Sequence, residues 1–188
     1  RCELPRFEPL GYLPETTFSI VRDMSDDGAL VVGAGHTAGA TRPFAWTPAG
    51  MDLLAPVRGI ANAVSSDGGV VVGYFELDNV VGANRAFRFT EAGGVVTLGA
   101  PSGAPPETSS QATAVDFTGD VVVGTWRDGD VNRGFRWTSA AGMVSLGVVP
   151  GAAPAADVFV WGVSGDGNVV VGDGSEAPRR AVRWTASD

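Results

Sequence analysis

The sequence predicts an all-β chain folded as a four-bladed β-propeller with four-stranded antiparallel blades, and three observations carry that expectation. One segment occurs four times in 188 residues, an apolar tripeptide ending in Gly followed by a basic-aromatic strand. The copies are Leu30-Val31-Val32-Gly33 with Arg42-Pro43-Phe44-Ala45-Trp46-Thr47, and Val70-Val71-Val72-Gly73 with Arg85-Ala86-Phe87-Arg88-Phe89-Thr90. They continue as Val121-Val122-Val123-Gly124 with Arg133-Gly134-Phe135-Arg136-Trp137-Thr138, and Val169-Val170-Val171-Gly172 with Arg180-Ala181-Val182-Arg183-Trp184-Thr185. The leading Arg recurs at intervals of 43, 48 and 47 residues, a period typical of propeller blades. Each copy also expands into the same series of strand and turn signals.

The second copy shows the series most clearly. Ala61 to Val64 reads as a short strand, Ser65-Ser66-Asp67-Gly68 as a tight turn and Gly69 to Gly73 as a second strand. A variable loop leads to the Arg-aromatic strand at 85 to 90, a Gly turn at Glu91 to Gly94 and a last strand, Val95 to Leu98. The turn recurs as Ser25-Asp26-Asp27-Gly28 and Ser164-Gly165-Asp166-Gly167, and in altered form as Asp116-Phe117-Thr118-Gly119. Asp bonds its own backbone in turns and Gly takes a positive φ, so hairpin geometry selects the pair. A Ca²⁺ loop would need more carboxylates than the one that recurs here.

The second strand is apolar at consecutive positions, which predicts that both faces are covered, as in a blade held between two others. On the third strand Arg42, Phe44 and Trp46 share a face, as do Arg85, Phe87 and Phe89, so the aromatics are blade-packing residues. The recurring Arg42, Arg85, Arg133 and Arg180 have two readings, a guanidinium tied to a ring or turn in each blade, or a fourfold positive ring for an anion. Their recurrence in step with the packing residues favours structure.

The expected blades are about 18–54, 60–98 and 111–147, with the fourth made of 159–188 plus 6–13, all within one domain over 1–188. The chain stops after the third strand of the fourth copy, while Phe7 to Pro14 matches the last strand and exit loop seen at Met143 to Pro150. The N-terminal strand is therefore expected to complete the fourth blade and close a monomer. The same strand passed to a neighbour would give a swapped oligomer, a structural subunit assembled by strand exchange.

Composition excludes several classes. Hydrophobic residues make up 44% and charged residues 18%, against a disordered tail, and no apolar run is long enough to span a bilayer. Net charge is −8 and all thirteen basic residues are Arg, which argues against a nucleic-acid partner. The single Cys2 allows no internal disulfide and is read as an idle or intermolecular thiol. The start at Arg1 is expected of a processed or trimmed piece of a longer precursor.

These motifs resemble the HAF repeat, named for a His-Ala-Phe tripeptide and found in extracellular or envelope proteins of bacteria. The resemblance covers the Val-Ser-x-Asp-Gly turn, the Val-Val-Val-Gly strand, the x-Ala-Phe-x-Trp strand and the ending Gly142-Met143-Val144-Ser145-Leu146-Gly147. Arg stands in place of the eponymous His in all four copies, and Val182 in place of the Phe in the last. It implies a repeat architecture and a secreted or cell-envelope setting, and it brings no catalytic residues. The turn also looks superficially like the Asp-box of sialidase propellers, but Asp67 and Gly68 are adjacent and no Trp follows in the turn.

Functional chemistry is expected on the face formed by the variable loops. That face carries the sole His36, possible stacking platforms Tyr12, Tyr74, Phe75 and Trp126, and polar contacts Glu76, Asp78, Arg127, Asp128, Asp130, Asp173 and Glu176. Trp161 opens the inner strand of blade 4 where Arg22, Asn62 and Thr113 hold the matching positions, and is expected near the axis. Aromatic faces beside carboxylates and amides suit a sugar. One His and one Cys supply no triad with alternatives and no His-Cys metal cluster, and no phosphate loop precedes a helix. The leading reading is a non-catalytic extracytoplasmic module, without cofactor or metal, that binds or scaffolds a protein or glycan. A lectin-like module and a hydrolase using Glu76 with Asp78, or Asp128 with Asp130, are the alternatives.

Overall fold

A computed structural model describes residues 7–77, 83–175 and 178–185, so Cys2, Arg6, Asp78 and Glu176 lie outside the described residues. Among the described residues there are fifteen strands and no helix. The first sheet runs β1 (Phe18–Met24), β2 (Val31–His36), β3 (Thr41–Thr47) and β4 (Gly50–Leu53). The second holds β5 (Gly59–Val64), β6 (Val71–Glu76), β7 (Asn84–Thr90) and β8 (Gly94–Thr97). The third holds β9 (Ser110–Val115), β10 (Val121–Asp128), β11 (Val131–Thr138) and β12 (Gly142–Ser145). The fourth has three strands, β13 (Val158–Val163), β14 (Val169–Gly174) and β15 (Arg180–Thr185). Every sheet is an antiparallel meander in chain order, the blade topology expected from the repeat.

The Asp-Gly turns connect the first two strands of each sheet by one hydrogen-bond scheme. Ser65 Oγ donates to Asp67 Oδ1 at 2.6 Å while accepting the Val70 amide at 2.9 Å, and Asp67 Oδ1 accepts the Gly69 amide. Ser25 with Asp27, and Ser164 with Asp166, do the same. In the third copy Asp116 Oδ1 takes over the Ser position and accepts the Val121 amide at 3.0 Å. These bonds hold the Asp27, Asp67 and Asp166 carboxyls below the ordinary carboxylate pKa, the serine hydroxyl being the main cause.

The Gly that ends each Val-Val-Val run has a steric origin beyond packing. Each first strand carries a β-bulge, at Arg22, Asn62, Thr113 and Trp161, where the register with the second strand slips by one residue. Beside it a backbone carbonyl crowds the partner glycine. A Cβ on Gly33, Gly73, Gly124 or Gly172 would sit 2.1, 2.0, 2.0 or 2.1 Å from the carbonyl oxygen of Ile20, Ile60, Gln111 or Phe159. The third-strand aromatic covers the same glycine, with Phe44 against Gly33 and Phe135 against Gly124, and those rings are fully buried. In the last copy, where Val182 replaces the Phe, Trp184 approaches Gly172 instead.

The core lies between sheets. Val32 of β2 clusters with Ala61 and Val64 of the second sheet, Val72 with Ala112 of the third, and Val123 with Val160 of the fourth. Burying such a valine contributes about 1.5 to 3 kcal/mol each. First strands of consecutive sheets pack together, β1 on β5, β5 on β9 and β9 on β13, but no comparable packing joins β13 to β1.

The expected closing strand is not formed. Residues 7–13 carry no strand, Phe7 is fully exposed, and the fourth sheet keeps three strands among the described residues. The reason is local: Leu13 is buried beside Gly35 of β2, and Ser19 Oγ reaches back to the Gly11 carbonyl at 3.3 Å, tying the segment to the first sheet. Val149 lies against Gly174 in the same way, so Leu13 matches the loop that leads into a blade, and the outer-strand part of the match stays unpaired.

Candidate functional site

A cleft of about 320 Å³ opens between the third and fourth sheets, lined by residues from β9, β10, β11 and β13. Its walls are aromatic and polar: Trp126, Phe159 and Trp161 with Gln111, Thr113, Thr125 and Asn132, and one charged side chain, Arg127. Trp161, the bulge residue of β13, is exposed, and its Nε1 donates to Asp173 Oδ2 at 2.8 Å. Asp173 also pairs with Arg179 at 2.7 Å, and the Arg179 guanidinium lies 6.0 Å from the Phe159 ring centre. Phe159 and Trp161 are stacked at 6.2 Å. An exposed indole is thus fixed in orientation by a charge-assisted hydrogen bond.

The polar wall is partly spoken for. Thr113 Oγ1 donates to the Val160 carbonyl at 2.9 Å, and Asn132 Nδ2 to Asp157 Oδ1 at 3.0 Å. Trp126 is buried, yet its Nε1 has no hydrogen-bond partner, alone in this among the buried side-chain nitrogens and oxygens of the described residues. A buried indole N–H ordinarily finds a partner, so this one is an unsatisfied donor inside the seam between the second and third sheets.

Of the residues singled out in the sequence, the cleft gathers Trp126, Arg127 and Trp161. Phe75 and Trp126 occupy equivalent positions on β6 and β10 and both are buried. Phe75 stacks on Phe87 at 4.2 Å, and Trp126 belongs to the core cluster joining the second and third sheets. Their rings pack the frame and are not presented to solvent as platforms.

Tyr12 is exposed on the segment before β1, away from the cleft. His36 ends β2, its ring stacked on Phe18 at 4.4 Å and its Nδ1 3.1 Å from Thr41 Oγ1. Tyr74 is half-buried on β6, and its phenol is pushed up by burial first and the Glu76 charge second, with Arg22 opposing. Glu76 is exposed at the end of β6. Asp128 and Asp130 pair loosely with Arg133 and Arg127, each at 3.7 Å. No group of three or more metal-ligating side chains occurs among the described residues.

The repeated arginines are not gathered on an anion. Arg85 Nη1 donates to the Thr108 carbonyl at 2.5 Å, and Arg133 donates to the carbonyls of Ala156, at 3.0 Å, and Pro154. Each ties its own third strand to the loop leading into the next sheet. Arg42 and Arg180 make no such bond among the described residues, and Arg180 is exposed.

Gln111, Thr125, Asn132 and Phe159 were not singled out by the sequence. Their signal was available in the repeat itself, since Thr113 and Trp161 share the bulge position and so place their neighbours on one wall.

No protein-family model matches the chain, and no curated protein matches it. Among solved structures the chain is similar to TolB from Acinetobacter baumannii, at 11% identity and a TM-score of 0.61, covering 89% of this chain and 41% of that one. It is also similar to the putative TolB from Agrobacterium tumefaciens, at 14% identity and a TM-score of 0.62, covering 90% of this chain and 58% of that one. The chain spans less than two thirds of the length of either. The likeness is one of fold: consecutive antiparallel sheets set side by side as β-propeller blades, similar to those of TolB.

Proposed function

We propose that this protein is a non-catalytic binding module of an extracytoplasmic setting, and that the cleft between the third and fourth sheets takes a protein partner. The observation that carries this reading is Trp161, a solvent-facing indole held by Asp173 at the edge of a cleft whose frame is rigid β-sheet. Interface energy concentrates on such aromatic anchors, and an anchor already fixed by its neighbours loses little entropy on binding. The extracytoplasmic setting rests on the HAF-type motifs. Screening a displayed random-peptide library against the protein tests the reading: selected peptides should lose at least about tenfold in affinity on Trp161→Ala, about 1.4 kcal/mol. Binders indifferent to Trp161→Ala would overturn it.

A second reading, a glycan ligand, is favoured by one specific feature. The cleft sets the side chains of Gln111 and Thr125 beside the aromatic faces of Phe159 and Trp161. Sugars need flat apolar contact together with many hydrogen bonds. Retention on a glycan panel, weakened by Trp161→Ala, would select this reading over the first.

A further inference from the structure

The two ends of the row of sheets are the two halves of an interface that the molecule itself forms three times. Two contacts recur in all three formed copies, and a third in two of them, since Ala45 stands at the arginine position of the first sheet. A second-strand valine packs on the next sheet's first strand, as Val32 does with Ala61, Val72 with Ala112 and Val123 with Val160. The turn glycine of the next sheet lies on the residue opening the previous second strand, with Gly68 against Leu30, Gly119 against Val70 and Gly167 against Val121. A third-strand arginine reaches that glycine's carbonyl, Arg88 Nε to Gly119 at 3.1 Å and Arg136 Nε to Gly167 at 3.3 Å.

At the ends each half stands without the other. Val171 is 45% exposed where Val32, Val72 and Val123 are 0%. Val21 is 52% exposed where Ala61, Ala112 and Val160, opposite the equivalent glycines, are 0%. Met24 is 61% exposed where Val64 is 6%. Arg183, the counterpart of Arg88 and Arg136, is exposed on β15 and has no hydrogen bond or ion pair among the described residues. The Gly28 turn on the first sheet presents the carbonyl position that such an arginine takes elsewhere.

We propose that a second copy of this chain covers both ends, the fourth sheet of each copy docking on the first sheet of the other to close a two-copy ring. Val171 then packs against Val21 of the other copy, Val169 beneath its Gly28 turn, and Arg183 on the Gly28 carbonyl. One chain carries both complementary halves, so a single twofold arrangement covers both exposed end faces at once.

Sedimentation velocity of the full chain over a concentration series tests this. The expected species has twice the 19.2 kDa chain mass at micromolar concentration. Val171→Asp should raise its dissociation constant by at least about a hundredfold, because the carboxylate would be buried unpaired. Val144→Asp, on the exposed outer face of β12, should leave the dimer intact, and unchanged circular dichroism of both variants separates dissociation from unfolding. A monomer at every concentration, as ring closure within one chain or capping by blades of the same polypeptide would give, overturns the proposal. So does a dimer indifferent to Val171→Asp, or open-ended polymer in place of a dimer.

Discussion

Replacing Gly124 with Ala adds one methyl group at the most crowded point of the third sheet. The new Cβ would lie 2.0 Å from the Gln111 carbonyl oxygen, 2.8 Å from the Ala112 Cα and 2.8 Å from a ring carbon of Phe135. None of these is the free end of a flexible side chain, so β9 must move away by roughly 1 Å, about the shortfall from van der Waals contact. Overpacking of a core costs about 1 to 3 kcal/mol, and weakening the ladder bonds around the bulge adds about 1 kcal/mol. A total near 3 kcal/mol corresponds to a melting temperature lower by about 6 to 12 °C for a domain of this size. The assay is thermal unfolding by circular dichroism beside Gly39→Ala, a position with open space and no positive φ, which should change stability by less than about 1 kcal/mol. If Gly124→Ala melts within 2 °C or so of the parent, the crowding account of the recurrent glycine is wrong.

Three further outcomes follow from the same geometry. Ser65→Ala removes a buried hydroxyl that bridges Asp67 and the Val70 amide, and should cost about 1 to 2 kcal/mol in denaturant unfolding. The carboxyls of Asp27, Asp67 and Asp166 titrate lower folded than unfolded, so their stabilisation is present above about pH 4 and is lost as pH falls through the folded values. Melting temperature should therefore fall below about pH 4, and Asp67→Asn should make that fall shallower. Arg133→Ala frees the loop that Arg133 holds through the Ala156 and Pro154 carbonyls, so limited proteolysis should cut within 147–157 faster while β9 to β12 stay intact.

The repeat made the sheets legible because each strand, turn and aromatic recurs in register, and local pattern decides local structure. The Asp-Gly turns follow from three side chains within one hairpin, so nothing distant could overturn them. The closing strand was not legible for a related reason. Phe7 to Leu13 resembles an outer strand in residue type, but pairing depends on a neighbour across space, and Leu13 is held by Gly35 of the first sheet instead. Phe75 and Trp126 looked like loop platforms because they sit at strand ends, whereas twist carries both rings into the seam between sheets. The cleft was half visible: Trp161 stood out against Arg22, Asn62 and Thr113, but its Asp173 tether needs two strands in register.

The bulge gives each blade one address whose side chain can change while the backbone around it stays the same. Carbonyl crowding against glycine sets the backbone there, so the side chain is free to serve either the seam to the next blade or the solvent. Three blades use that freedom differently: Asn62 ties to the Ala112 carbonyl at 2.8 Å, Thr113 to the Val160 carbonyl, and Trp161 turns outward to Asp173. A chain built this way can alter what it presents between blades by changing single residues, while the same scaffold is inherited unaltered.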